Sequence, residues 1–151
     1  ESYGYVRARS HDPFKHPEIQ PNYLAADADK QVILAAIKIC RKLAKTEALK
    51  PFIVNETFPG AACQNDDELL NSAREIGQSI YHLMGTCRMG NRDDKTAVVD
   101  SELRVHGIKN LRVIDASIMP TMVSANLNAA VMMIAEKGAD MVLGKLSAKL
   151  H

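Results

Sequence analysis

From Gly4 to Ser10 the chain alternates Tyr5, Arg7 and Arg9 with Val6 and Ala8, and a period of two predicts a short strand. Pro13, Pro17 and Pro21 then recur every four residues, which forbids a helix and predicts an extended, ordered loop. Asp27 or Asp29 can cap the element that follows. Ile33, Ile37, Cys40, Leu43 and Ala44 share one helical face, with Lys38, Arg41, Lys42 and Lys45 interleaved, so a helix is expected to end near Leu49, before Pro51.

Phe58-Pro59-Gly60 reads as a turn. A second helix should start at Asp66 or Asp67 with Leu69, Ala73, Ile76 and Ile80 in register, and its end should deliver Tyr81 and His82 into a glycine-containing loop. The charged run 91–95, NRDDK, reads as solvated surface. Val98-Val99, Leu103 to Val105 and Leu111 to Ile114 read as short strands, the last two separated by a turn from His106 to Asn110. A final helix is expected from about Asn128 to Leu146, carrying Met132, Met133 and Met141. All seven aromatic residues lie at or before Tyr81 and all seven methionines at or after Met84. Methionine fills gaps in ordinary cores, and the distribution also fits a C-terminal half packed against something large and irregular.

Composition narrows the class. With 151 residues, 46% hydrophobic and 25% charged, the chain can bury one sizeable core, and wholesale disorder is excluded. Lysine and arginine total 19 against 18 acidic residues, so net charge gives no reason to expect nucleic acid or an anionic membrane as partner. The apolar runs are too short and too interrupted to span a bilayer. Cys40, Cys63 and Cys87 form neither a CxxC pair nor an even-numbered disulfide framework, which favours a reducing compartment, the cytoplasm. The opening, ESYGYVRARS, has no Met and enters directly into a strand pattern, as a processed N-terminus or a fragment would.

Two stretches, 81–90 (YHLMGTCRMG) and 111–140, hold most of the polar residues a core would not choose. His82 alone also reads as a surface or satisfied core residue, but an imidazole near pKa ~6.5 suits proton acceptance at neutral pH. Residues 124–128, SANLN, also read as a turn and helix N-cap, and Asp115 as a turn aspartate at the end of an apolar strand. His11 and His16 flank prolines with no pattern to complete a metal site, so no metal is expected. Ser117 and Ser124 lack a GxSxG elbow, which argues against a hydrolase triad. Cys87, beside Arg88, reads as a structural thiol.

Both stretches resemble the C-terminal signature of the glucose-methanol-choline (GMC) family of FAD-dependent alcohol oxidoreductases, its choline and alcohol dehydrogenases in particular. His82, the loop Gly85 to Gly90, Val98 to Asp100, Leu103 to Gly107, Leu111 to Pro120, Asn126 and Ala135 to Asp140 stand in that family's order. The opening 21 residues after Tyr3 are similar to its strand and proline-rich lead-in. The chain departs from the pattern at Leu83-Met84, where proline or glycine often follows the histidine, and at Ala130, where proline is usual.

The resemblance implies an α+β fold with residues 1–107 part of a substrate-binding domain. Residues 108–151 would supply a strand and helix completing an FAD-binding domain. It implies that His82 is the catalytic base and that Asn126 donates a hydrogen bond to the substrate oxygen. Asp115 and Ala116 would approach the cofactor's ribityl and phosphate portion. Asn128 and Ala129 would open a helix whose positive end faces the flavin. No GxGxxG follows any strand, so the ADP-binding unit of the cofactor site is expected in an N-terminal part of the same protein, and this chain alone is expected to be inactive. The implied reaction is oxidation of a small alcohol to a carbonyl by hydride transfer to FAD. The alternative is a non-catalytic binding or interaction module derived from such an enzyme.

Overall fold

The computed structural model describes residues 1–145, which form two compact units, 1–79 and 80 onward. The predicted helix end at Leu146 lies outside the described residues.

In the first unit, β1 (Tyr5–Arg7) pairs antiparallel with β2 (Glu18–Gln20), in the register Tyr5 to Gln20, Val6 to Ile19 and Arg7 to Glu18. The proline-rich run is therefore not all loop: Pro17 and Pro21 bracket three extended residues whose ladder contains no proline. The Tyr5 hydroxyl donates to Glu18 Oε1 at 2.8 Å, and the Arg7 guanidinium lies 4.3 Å from the Tyr5 ring centroid. Gly4 lets the chain pass beside β2, because a Cβ there would stand 2.0 Å from the Gln20 carbonyl oxygen.

Helix α1 spans Asp27–Ala44. Neither candidate aspartate caps it; the N-cap is Ala26, which has no side chain able to accept. Asp29 instead accepts from the Glu1 amino group and from the backbone and hydroxyl of Ser2, and these bonds hold its carboxyl at about 2. The buried face is also rotated from the predicted one. Leu34 is its buried centre, flanked by half-buried Ile33, Ile37, Arg41 and Ala44, while Cys40 and Leu43 are exposed. Arg41 takes the inward place of Cys40 because its guanidinium reaches Glu56 and the Gly60 carbonyl. The helix stops at Ala44, short of Leu49, and a 3₁₀ turn at Lys50–Phe52 accommodates Pro51.

Helix α2 (Asp66–Ile76) begins at Asn65, whose side chain accepts from the Glu68 backbone while the Glu68 carboxylate accepts from the Asn65 backbone. It packs on α1, with Leu69 only 1% exposed, and Lys38 pairs with Asp66 at 2.5 Å. The expected register through Ile80 fails. Gly77 turns the chain out of the helix, so Ile80, Tyr81 and His82 do not lie on it; Ile80 is exposed and Tyr81 has a φ of 62°.

The second unit is built around Val99, Leu103, Ile118, Met119, Leu127 and Ile134. The three predicted strands are reduced to single bridges: Met89 to Val99 in parallel, and Val99 to Val105 and Arg104 to Arg112 antiparallel. Turns at 106–107 and 109–110 separate the last two segments as expected. Helix α3 spans Leu127–Val142, and its apolar residues Met132, Met133 and Val142 are exposed.

Candidate functional site

The two signature stretches meet through backbone. Gly85 N donates to the Ala116 carbonyl at 3.3 Å, Cys87 N to Ser117 at 2.9 Å and Met89 N to Ile118 at 2.8 Å. Three successive odd-numbered amides thus stitch the loop after His82 to the turn after Asp115. Gly85 makes the approach possible: its φ is +84°, and a Cβ there would sit 3.2 Å from the Met119 carbonyl oxygen.

Asp115 occupies the N-cap of the 3₁₀ turn Ala116–Ile118 and accepts from Ser117 N at 2.7 Å. The turn-aspartate reading is therefore correct as local structure, and it leaves the exposed carboxylate with a second oxygen toward solvent. Ile118 and Met119 are buried beneath the turn and anchor it.

Asn126 stands at the N-cap position of α3, yet its side chain makes no capping hydrogen bond. The first turn contains no acidic residue, and Asn128 and Ala129 are exposed. The N–H groups of Leu127, Asn128 and Ala129 have no intrahelical acceptor by the geometry of a helix start. Buried Leu127 fixes this end of the helix in the core. Farther along, Gly138 is buried against Ile114, where a Cβ would come within 2.3 Å of Ile114 Cγ2. The helix thus lies directly on the segment that leads into Asp115.

His82 is half-buried three residues before Gly85. All six candidate residues fall in the second unit. The backbone ladder joins the His82 loop to Asp115 and Ala116, while Asn126, Asn128 and Ala129 share the start of α3. Among the described residues no hydrogen bond links His82 to Asn126. Gly85 and Gly138 set these approaches, and in the sequence Gly85 is a letter of the loop motif while Gly138 is an unspecified position within Ala135 to Asp140. A left-handed φ and a close helix contact are both reasons for a glycine, and an isolated glycine inside a helical pattern is the visible signal for the second.

No group of three or more histidine, cysteine or acidic side chains that could hold a metal occurs among the described residues. The three cysteines are unpaired. No helix of the described residues is long and apolar enough to cross a membrane.

Comparison with known proteins agrees with the motif order. The chain is 48% identical over 144 residues to the mitochondrial choline dehydrogenase of Homo sapiens, covering 95% of this chain and 24% of that protein. It is 46% identical over 144 residues to an oxygen-dependent choline dehydrogenase of Escherichia coli, covering 95% and 25%. The chain therefore spans about a quarter of the length of these curated relatives. An FAD-dependent oxidoreductase from Chaetomium thermophilum superposes with a TM-score of 0.84 at 29% identity, covering 94% of this chain and 24% of that one. A family model described as GMC oxidoreductase matches residues 1–135, and the chain belongs to that family.

Proposed function

We propose that this chain is the C-terminal catalytic segment of an FAD-dependent oxidoreductase that oxidises an alcohol CH–OH group to a carbonyl. Residues 1–107 would form part of its substrate-binding domain and 108–151 would complete its FAD-binding domain. The observation that carries this reading is the ladder from Gly85, Cys87 and Met89 to Ala116, Ser117 and Ile118, because it holds the His82 loop against the Asp115 turn.

The residues present fit a flavin. The start of α3 offers uncapped N–H groups and no carboxylate in its first turn, and such an end favours a group that carries negative charge. Asn128 and Ala129 would hold the ring edge there, and Asp115 and Ala116 the ribityl and phosphate portion. FAD, when bound, supplies the hydride acceptor. His82 accepts the hydroxyl proton through its imidazole, and Asn126 donates its amide N–H to the substrate oxygen as negative charge develops. The absence of a capping bond from Asn126 supports this, since a side chain occupied in capping could not serve the substrate.

The identity to choline dehydrogenases supports a small alcohol as substrate. The ADP half of the cofactor needs a GxGxxG segment that these 151 residues do not contain, so the chain alone turns over no substrate. The three free cysteines support a reducing compartment, the cytoplasm. Sequencing the open reading frame upstream of Glu1 and titrating the encoded protein anaerobically with choline and a panel of alcohols tests the reading. A GxGxxG segment in frame and bleaching of the flavin by one of them is the expected result. A frame without such a segment, whose product binds no FAD, would favour the non-catalytic module instead.

A further inference from the structure

We propose that the hairpin between Asp100 and Arg112 forms, with Arg92, a binding site for a phosphoryl dianion. An open cavity of about 880 Å³ is lined by Arg92, Arg104, Lys109 and Arg112, with Asp100 the one carboxylate on its wall. In the sequence Arg92 belongs to a run of mixed charge, and the fold turns one of its acids, Asp94, away from it. Asp94 is turned back onto Thr96, with a hydrogen bond to its backbone at 2.8 Å, while Arg92 faces the cavity.

The two acids of the hairpin, Asp100 and Glu102, are already occupied. Asp100 Oδ1 accepts from the backbone of Glu102 at 2.8 Å and of Arg104 at 2.9 Å. Glu102 pairs with Arg104, and its carbonyl accepts from Arg112 Nε at 3.1 Å. Four cations against two carboxylates leave an excess of two positive charges, the complement of a phosphoryl dianion. The bond through Nε also fixes the Arg112 fork while leaving its two terminal nitrogens for a ligand, and such a fork matches phosphate geometry. Arg92 and Lys109 enter no ion pair or hydrogen bond among the described residues, so their charges are not spent within the fold. The chain as a whole has a net charge of only +1, so this excess is a local concentration and not a general basicity.

A free phosphate monoester and the monoester headgroup of phosphatidic acid present the same dianion, and exposed Ile108 and Leu111 on the same hairpin suit either. The whole chain is titrated calorimetrically with inorganic pyrophosphate at low salt and, separately, sedimented with vesicles containing phosphatidic acid or only phosphatidylcholine. The comparison is the double variant Arg92→Gln, Lys109→Gln, which removes no bond of the fold; its circular dichroism spectrum should match the parent. One-to-one binding of pyrophosphate, weakened about tenfold or more in the double variant and by added salt, is expected. The same dependence on anionic vesicles alone would assign the phosphoryl group to a lipid headgroup. No binding of either probe, or binding that the double variant retains, overturns the proposal.

Discussion

Replacing Gly138 by alanine sets two effects against each other. Alanine is favoured over glycine inside a helix by about 1 kcal/mol. At this position its methyl carbon would lie 2.3 Å from Ile114 Cγ2, 3.1 Å from Cδ1 and 3.3 Å from Cγ1. Cγ2 hangs directly from the Cβ of a β-branched side chain with restricted χ1, so it cannot swing aside as the end of a lysine could. Overpacking of this kind costs about 1–3 kcal/mol, and so short a contact belongs to the upper part of that range. Net destabilisation of about 1–2 kcal/mol is therefore expected for Gly138→Ala. Urea unfolding followed by circular dichroism should show a lower midpoint at an unchanged slope. Ile114→Ala opens the same space, so the double variant should be less destabilised than the two single changes together, with a coupling of about 0.5 kcal/mol or more. A Gly138→Ala chain as stable as the parent, or strict additivity with Ile114→Ala, would refute the packing of α3 on the segment before Asp115.

Leu69→Ala removes a side chain that is 1% exposed and should lower the stability of the first unit by about 2–5 kcal/mol, read from its urea midpoint. The Glu68 carboxyl is held below its ordinary 4.5 by the backbone N–H groups of Gln64 and Asn65. Its stabilisation is thus complete above that value and fades as pH falls through the lower folded one. Glu68→Gln should flatten the loss of thermal stability between about pH 5 and 3, and an unchanged profile would remove the capping box from the explanation. Because the Asn126 side chain caps nothing, Asn126→Ala should leave stability within about 0.5 kcal/mol, against about 1 kcal/mol for loss of a working cap. In the complete enzyme the same change should slow flavin reduction by about 10²-fold with FAD retained, and a wild-type rate would deny Asn126 its role at the substrate oxygen.

Periodicity located all three long helices, because each has one apolar stripe and a polar or glycine boundary. It missed the face of α1, where a long arginine with a half-buried partner displaced Cys40 from the inward position. It also carried α2 four residues too far, since the spacing of Ile80 matches the stripe but Gly77 ends the helix first. Val99 and Val105 were legible as apolar residues of extended segments, whereas Leu103, read as part of a strand, has a left-handed φ of 64°. The reduction of these segments to single bridges was not legible, because it depends on which distant backbone groups they meet. As candidates with proposed roles, His82, Asp115 and Asn126 were legible by residue type and order. The ladder that joins residues 85–89 to 116–118 was not, since backbone amides leave no mark in a pattern of side chains.

The proton-accepting role proposed for His82 is tested most directly by anaerobic stopped-flow reduction of the flavin in the complete enzyme, wild type against His82→Ala, across neutral pH. A 10²–10⁴-fold slower reduction, on the order of what a positioned base contributes, is expected with FAD still bound. Reduction of the His82→Ala flavin at the wild-type rate throughout that range would contradict it and return His82 to a structural part in the loop.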